Sequence, residues 1–472
     1  MSDGSVTRRE VLRAAVAPAA AVLAGTDAQP QAAPAQPGAG FQHRCYLGWI
    51  TDLASAPDPN AAWPSMRLDE PLLADYTATF RAMKELGFTG ASVWGLYVSR
   101  NWPVDLKSCV TPQRGALVER LIAAAHEQGI QVYCGLGVYS WGFEEIIRAY
   151  PKLSGGNPQA LCGSEPEAWD WMRRVTDYAF TRFPIDGVSM QSADQGRCPC
   201  ERCKRYGDTE YHARLNIRLS EYIRASWPGK TVAVSGWGMD FRDPAGIPVL
   251  KEMSRHLDYL LDVHDTSRQR DPAQRRRLTA ALECAFGTLG GPQVEPPQHW
   301  ERERWFLPTA RGQGEHLASL YADGGRACEY FFHILRNPGD EVSFHVAGRL
   351  LKQPQRPWRK HLEETIARLY GTRPGVTEGL AQVFVDAEEA YFRHRSGVTS
   401  TVSLEPLIGD RPGPPVYLKD RLDAAQRQEY RQDLANVLAT VNKLAPEVPD
   451  KQRIARVQRC IGNVIAEIDR LA

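Results

Sequence analysis

Acidic side chains fall within, or at the end of, stretches that predict buried β-strands. Asp194 ends the apolar run that starts at Ile185, Asp262 lies in LDYLLDVHD two residues before His264, and Glu329 lies in ACEYFFH. Residues two apart in a strand point to the same face, so Asp262 and His264 are expected side by side. Burying an acidic side chain in a strand costs free energy, so such a residue is usually paired with another group or has a function. These three acids are therefore candidate general acids, bases or nucleophiles for a glycosidic bond, the alternative being structural salt bridges or strand-end caps.

Three closely spaced cysteines follow the first of these acids. Cys198, Cys200 and Cys203 form a C-x-C-x-x-C triplet in a chain with ten cysteines. Thiolates at this spacing could share a structural Zn²⁺ or an iron–sulfur site, with Cys162 or His212 as the fourth ligand. Two of the three could equally form a disulfide that pins the loop in an oxidising compartment, and free thiols are a third alternative.

Aromatic and polar side chains recur near the predicted strand ends and could bind a sugar. Indole rings offer flat apolar faces on which a pyranose packs, although each could instead fill the rim of the fold. Gln191 and His264 would position the substrate. The candidate stacking residues are Trp49, Trp94, Trp141, Trp237 and Trp305.

The elements that must position these residues alternate between short strands and amphipathic helices. Eight strand–helix units predict an α/β protein, a (β/α)₈ TIM-like barrel over residues 44–352, with active-site residues at the carboxyl ends of the strands. A doubly wound open sheet is disfavoured because no phosphate-binding glycine motif follows the first strand. Residues 353–472 show helical periodicity without strands and predict an all-helical C-terminal domain. The predicted strands are 45–52, 90–98, 130–139, 186–194, 231–237, 257–265, 286–294 and 327–333.

The N-terminus resembles a targeting segment. Arg8 and Arg9 precede a short apolar run, which predicts a twin-arginine export signal over residues 1–28, a flexible linker over residues 29–43 and a periplasmic or secreted protein. The alternative is a basic, apolar N-terminus without a targeting role. The run is too short for a stable membrane anchor. The balance of 57 basic and 56 acidic residues argues against a nucleic-acid partner and leaves the export machinery and a carbohydrate as expected partners.

The stretch from Ile185 to Cys203 resembles secreted bacterial glycoside-hydrolase-like proteins of poorly defined function, in which a fourth-strand acid and a glycine precede a C-x-C-x-x-C loop. It is also distantly similar to the D-G-F-x-x-K-x-x-S-E-G stretch of α-glucuronidases, whose glutamate is the catalytic acid. In this chain Gln195 stands at that glutamate position and Asp194 one residue earlier. The resemblance implies either that Asp194 has taken over the role or that the activity has been lost or changed.

Three functions therefore follow from the sequence. The first is an exported glycoside hydrolase with Asp194 as general acid, Asp262 or Glu329 as base or nucleophile, and no cofactor required. The second is a carbohydrate-binding barrel without catalysis, which Gln195 favours. The third is a metal-dependent enzyme that uses the cysteine loop.

Overall fold

The computed structural model describes most of the chain between residues 40 and 471. The described residues are 40–49, 68–97, 101–193, 195–241, 243–263, 272–290, 305–331, 337–393, 418 and 422–471. The predicted export signal and residues 29–39 of the predicted linker lie outside this range. None of the helices in the described part combines the length and apolarity that crossing a membrane requires.

Eight parallel strands form a closed barrel in chain order, and the first strand pairs with the eighth. This confirms the predicted (β/α)₈ fold. The strands are β1 (His43–Trp49), β2 (Gly90–Trp94), β3 (Gln131–Gly137), β4 (Gly187–Gln191), β5 (Thr231–Ser235), β6 (Tyr259–Leu261), β7 (Ala285–Gly290) and β8 (Ala327–Phe331).

The helices that follow these strands begin and end at residues suited to those positions. The carboxylate of Asp69 accepts the Leu72 N–H at the start of the first helix, and Gly87 ends that helix with φ of 78°. The helices up to the end of the barrel are α1 (Glu70–Leu86), α2 (Pro112–Glu127), α3 (Glu144–Ala149), α4 (Pro166–Arg182), α5 (Glu201–Lys204), α6 (Asp208–Ser226), α7 (Ile247–Ser254), α8 (Pro272–Ala281), α9 (Ala310–Ala322) and α10 (Pro338–Lys352).

Several strands end earlier than the sequence predicts. β2 stops at Trp94 because Gly95 takes a φ of 78°, and β6 stops at Leu261 because Asp262 takes a φ of 62°. Leu96 and Tyr97 remain buried after the strand has ended. Apolar character therefore continues beyond the hydrogen-bonded ladder, which explains why the predicted strands extend too far.

A helical C-terminal region packs against the barrel helices and shares one continuous apolar core with them. The carboxylate of Glu388 accepts the N–H groups of Arg311 and Gly312 and so caps the first turn of α9. This agrees with the predicted all-helical character after residue 352. The region contains α11 (Trp358–Tyr370), α12 (Pro374–Phe392), α13 (Ala424–Leu444) and α14 (Lys451–Leu471).

Candidate functional site

Backbone strain is concentrated at the carboxyl end of the barrel. Tyr139, Trp141 and Asp262 have φ values of 60°, 66° and 62°, and they are the only non-glycine residues with positive φ in the described part of the chain. Tyr139 and Trp141 follow β3, and Asp262 follows β6. Residues other than glycine rarely adopt a positive φ, and backbone strain of this kind clusters at functional sites. The strained residues therefore mark the barrel mouth as the candidate site.

Asp262 is held in place by a serine from the neighbouring strand. The Ser235 hydroxyl at the end of β5 donates to Asp262 Oδ2 at 2.5 Å, and it accepts the Trp237 N–H at 3.2 Å. Asp262 is only 4% exposed. A hydroxyl that donates to a carboxylate orients it and offsets part of its desolvation cost. The structure thus places this predicted acid at the carboxyl end of β6 with a defined orientation.

Gln195 joins the loop after β3 to the loop after β4. Its Oε1 accepts the Trp141 N–H at 2.7 Å, its Nε2 donates to Glu144 Oε1 at 2.6 Å, and its own N–H donates to Ser140 Oγ at 3.0 Å. Asn157 adds a further link by donating to the Gln195 carbonyl at 3.0 Å. A side-chain amide accepts and donates at once, which an ionised glutamate cannot do. The neutral residue at this position therefore has a structural explanation.

Some predicted site residues lie outside what the structure describes. Asp194 and His264 are not among the described residues, and Trp49 is described only as the last residue of β1, without its side chain. Their predicted roles stay predictions.

The tryptophans divide between the mouth and the core. Trp94 is buried inside the barrel and meets the ring of Trp141 edge-on, with centroids 5.2 Å apart. A Cβ at Gly135 would lie 2.2 Å from Trp94, so a glycine on β3 leaves the space that this ring fills. Trp141 and Trp237 are partly exposed at strand ends, as is Gln191 at the end of β4.

Trp305 lies in the core rather than at the mouth. It is 1% exposed, and its carbonyl accepts from the Asn337 side chain at 2.7 Å. Its ring faces are covered in this structure, which sets it apart from the partly exposed tryptophans.

Glu329 lies inside the barrel, below the mouth. It is fully buried, its Oε1 lies 3.1 Å from His43 Nε2, and its Oε2 accepts from the Ser189 hydroxyl at 2.9 Å. The His43 ring stacks on Tyr259 with centroids 4.1 Å apart. His43 is the first residue of β1, at the amino end of the barrel. Both oxygens of Glu329 are thus engaged in an interior network, away from the strand ends where Asp262 lies.

The cysteine triplet is joined by Cys162, from the loop after β3. The Sγ atom of Cys162 lies 3.6 Å from that of Cys200 and 3.7 Å from that of Cys203, and all four sulfurs, with Cys198, lie within 4.8 Å of one another. The four thiols could hold a metal ion. None of the ten cysteines forms a disulfide in the structure.

His212, the other predicted fourth ligand, lies apart from this cluster. It is buried on α6, where a Cβ at Gly238 would lie 3.3 Å from its ring. Burial lowers the pKa of His212 to about 4. The structure therefore brings Cys162, and not His212, to the triplet.

Hydrogen bonds between the thiols favour a thiolate within the cluster. Donation from Cys198, aided by the Ser164 backbone and the other two thiols, lowers the pKa of Cys162 to about 5. The same interaction, together with burial, raises the pKa of Cys198. The contacts between the thiols thus favour a thiolate at Cys162 and a protonated thiol at Cys198.

Two acids near the strand ends were not among the predicted site residues. Glu144, which Gln195 contacts, follows the third strand in the segment Trp141-Gly142-Phe143-Glu144. Asp340 lies in the first turn of α10 after β8 and is 3% exposed, and burial raises its pKa to about 8. The signal for Glu144 is its position three residues after Trp141, near the end of a predicted strand, whereas nothing in the sequence indicates the depth of Asp340.

The comparisons with known proteins find similar folds among solved structures. No protein-family model and no curated protein sequence matches it. Among solved structures, it is similar to a GH138 enzyme targeting pectin rhamnogalacturonan II, with a TM-score of 0.60 and 11% identity over 91% of this chain. The match covers 57% of that enzyme's own length. It also matches a mutant O-GlcNAc hydrolase from Thermobaculum terrenum, with a TM-score of 0.48 and 11% identity over 91% of this chain and 83% of that one. The chain thus shares its barrel fold with a glycoside hydrolase.

Proposed function

We propose that this protein is a glycoside hydrolase that cleaves glycosidic bonds in oligosaccharides or polysaccharides with paired carboxylates. The observation that carries the proposal is Asp262, a buried acid in a strained backbone at the carboxyl end of β6, oriented by Ser235. Active sites of (β/α)₈ enzymes lie at this end of the barrel. Hydrolysis by two carboxylates requires no cofactor.

The proposed roles follow from where the structure places Asp262 and Glu329, and from the position of Asp194 in the sequence. Asp262 is the base or nucleophile, since Glu329 has both oxygens engaged by His43 and Ser189 in the interior. Asp194, which directly precedes Gln195 in the sequence, is the general acid. Glu329 then stabilises the inside of the barrel and takes no part in the reaction.

The sugar would be bound by the partly exposed side chains at the strand ends. Trp141 and Trp237 offer indole faces, and Gln191 offers an amide for hydroxyl groups. The ring of Trp94 packs edge-on against the ring of Trp141 and holds it in position. Trp49 and His264 remain candidate contacts, while Trp305 serves packing. Pectic oligosaccharides are the first substrates to test, because the similar GH138 enzyme targets a pectin. Export through residues 1–28 would bring the enzyme to such substrates in the periplasm or outside the cell.

Turnover measurements on matched variants test this function. The purified chain is incubated with a panel of pectic, plant and algal oligosaccharides, and new reducing ends are separated by chromatography and identified by mass spectrometry. Asp194→Asn and Asp262→Asn should each lower kcat by about 10³-fold or more, since each removes a proton-transfer group or nucleophile. Asp170→Asn, at a surface acid on α4 whose side chain is 55% exposed, is the control and should keep the full rate. An unchanged rate for Asp262→Asn on a cleaved glycoside overturns its role.

Gln195 favours a second candidate function, a carbohydrate-binding barrel without catalysis. It stands where α-glucuronidases carry their acid, and its amide is committed to Trp141 and Glu144. Calorimetry separates the two functions. Binding of an oligosaccharide without any new reducing ends, weakened by Trp141→Ala and unaffected by Asp262→Asn, would support binding alone.

A further inference from the structure

The four-cysteine cluster lies outside the chemistry proposed for the mouth. We propose that Cys162, Cys198, Cys200 and Cys203 bind one Zn²⁺ in a structural site that ties the loop after β3 to the loop after β4. Cys162 comes from the first loop, and the other three come from the second loop and the short helix α5.

The distances between the sulfurs fit one tetrahedral ion. Four thiolates at about 2.3 Å from a shared Zn²⁺ stand about 3.8 Å from one another. The Cys162–Cys200 and Cys162–Cys203 separations are 3.6 and 3.7 Å, and no pair in the set exceeds 4.8 Å. A disulfide would need sulfurs about 2.05 Å apart. An iron–sulfur cluster would hold its thiolates further apart, because it places several atoms between them.

Groups around the cluster supply the contacts that a charged thiolate site needs. The Ser164 hydroxyl lies 3.2 Å from Cys203 Sγ, and the Cys200 N–H approaches Cys198 Sγ at 3.5 Å. Arg197 donates to the carbonyl of Cys203 at 2.5 Å and so fixes the turn that carries it. A tetrathiolate zinc site carries a net charge of about −2, which N–H donors and a nearby cation offset.

A glycine opposite the cluster leaves room for the sulfurs. Gly155 has a φ of 59°, and a Cβ there would lie 2.5 Å from Cys198 Sγ. A side chain would therefore displace this sulfur or be strained by the left-handed backbone. The loop after β3 thus contributes a ligand, Cys162, and a close-approaching backbone.

Four cysteine ligands leave no open position on the ion. Catalytic zinc sites keep one position for water or substrate, whereas closed Cys₄ sites are structural. The proposed ion therefore braces the loops and takes no part in the reaction, which argues against the metal-dependent enzyme considered from the sequence.

Metal analysis of the full chain tests the site without reference to any activity. Elemental mass spectrometry should find about one zinc per chain, and Cys162→Ser and Cys200→Ser should each lower this to below about 0.1, since one missing thiolate opens the site. Cys284→Ser is the matched control, because Cys284 is a partly buried free cysteine outside the cluster, and its zinc content should not change. Growth with cobalt should produce the thiolate-to-cobalt charge-transfer bands of a tetrahedral Cys₄ site.

A measurement on the unmodified chain covers the case in which the variants do not fold. Titration with an organomercurial in the presence of a zinc-sensitive dye should release one zinc as four thiols react. Less than about 0.1 zinc per chain, iron in its place, or a mapped disulfide within the four cysteines would each overturn the proposal. These outcomes leave the hydrolase hypothesis standing, because the carboxylates assigned to the reaction are not among the four proposed ligands.

Discussion

Replacing Gln195 by glutamate tests whether this residue is neutral because it bridges two loops. In the structure, Gln195 Nε2 donates to Glu144 Oε1 at 2.6 Å, and Oε1 accepts the Trp141 N–H at 2.7 Å. A carboxylate in the Gln195→Glu variant could still accept from Trp141. Its other oxygen would face the Glu144 carboxylate with no proton between them.

The cost follows from the separation of the two charges. Two negative charges about 3 Å apart repel by about 5.5 kcal/mol at an effective dielectric constant of 20 and about 1.4 kcal/mol in water. Gln195 and Glu144 are both partly buried, so we expect about 2–3 kcal/mol, equivalent to a rise of about two units in one carboxyl pKa. The folded variant would then keep a shared proton that the unfolded chain releases near pH 4.3. Stability should therefore fall as the pH rises from about 4 to about 7.

Urea unfolding between pH 4.5 and 8.5 measures this effect as a difference from the unaltered chain. Gln195→Glu should match that chain at pH 4.5 and be about 2–3 kcal/mol less stable at pH 8. Gln195→Ala loses both hydrogen bonds and should cost about 1–3 kcal/mol at every pH. Adding Glu144→Gln to Gln195→Glu exchanges the amide and the acid and should restore most of the stability. A destabilisation of Gln195→Glu that is constant with pH, or that Glu144→Gln does not relieve, would refute the bridging role.

Three further predictions concern buried titratable groups. Burial raises the pKa of Asp340 to about 8, so between about pH 4 and pH 8 the folded chain holds a proton that the unfolded chain has lost. The free energy of unfolding should therefore fall over this range by at most ~1.4 kcal/mol per pH unit. Asp340→Asn should remove this slope in a series of urea unfolding measurements. Burial lowers the pKa of His345 to about 3, so its contribution to stability should rise as the pH rises from about 3 to about 6.5, and a His345→Gln variant should lack this rise in the same unfolding series. Glu329→Gln replaces one of the two oxygens that contact His43 and Ser189 with an amide nitrogen, and should cost about 1–3 kcal/mol in thermal unfolding without changing the oligosaccharide affinity. A weaker affinity would indicate that Glu329 contacts the sugar.

The elements were largely predictable because local signals mark their ends. The limits of the helix from Glu70 to Leu86 follow from such signals, since Asp69 caps its start and Gly87 ends it. Strand ends were less predictable. Leu96 is as apolar and as buried as a strand residue, although the ladder has stopped at Trp94. A pattern of burial does not distinguish a paired strand from a covered loop.

The sequence does not predict how deep a side chain lies within the barrel. Glu329 and Asp262 are both acids within predicted strands, yet one lies in an interior network and the other at the mouth. Their heights depend on the register of closed strands, which local composition does not encode. The sequence named Cys162 and His212 as possible fourth ligands of the triplet, and the choice of Cys162 depends on two loops that the closed barrel brings together.

Two links between the loops after β3 and β4 indicate that different groups position the substrate-binding side of the mouth and its acid. Gln195 and the proposed zinc site both fix the side of the mouth that carries Trp141, whereas Asp262 is oriented on β6 by its own strained backbone and by Ser235. Loosening the loops should therefore weaken substrate binding before it disturbs the acid. In a chain that hydrolyses an oligosaccharide, removal of the zinc should raise KM by about tenfold or more with a smaller change in kcat. Ser235→Ala should instead lower kcat by about tenfold or more with a smaller change in KM. Equal effects on both constants from either change would mean that the mouth responds as one unit.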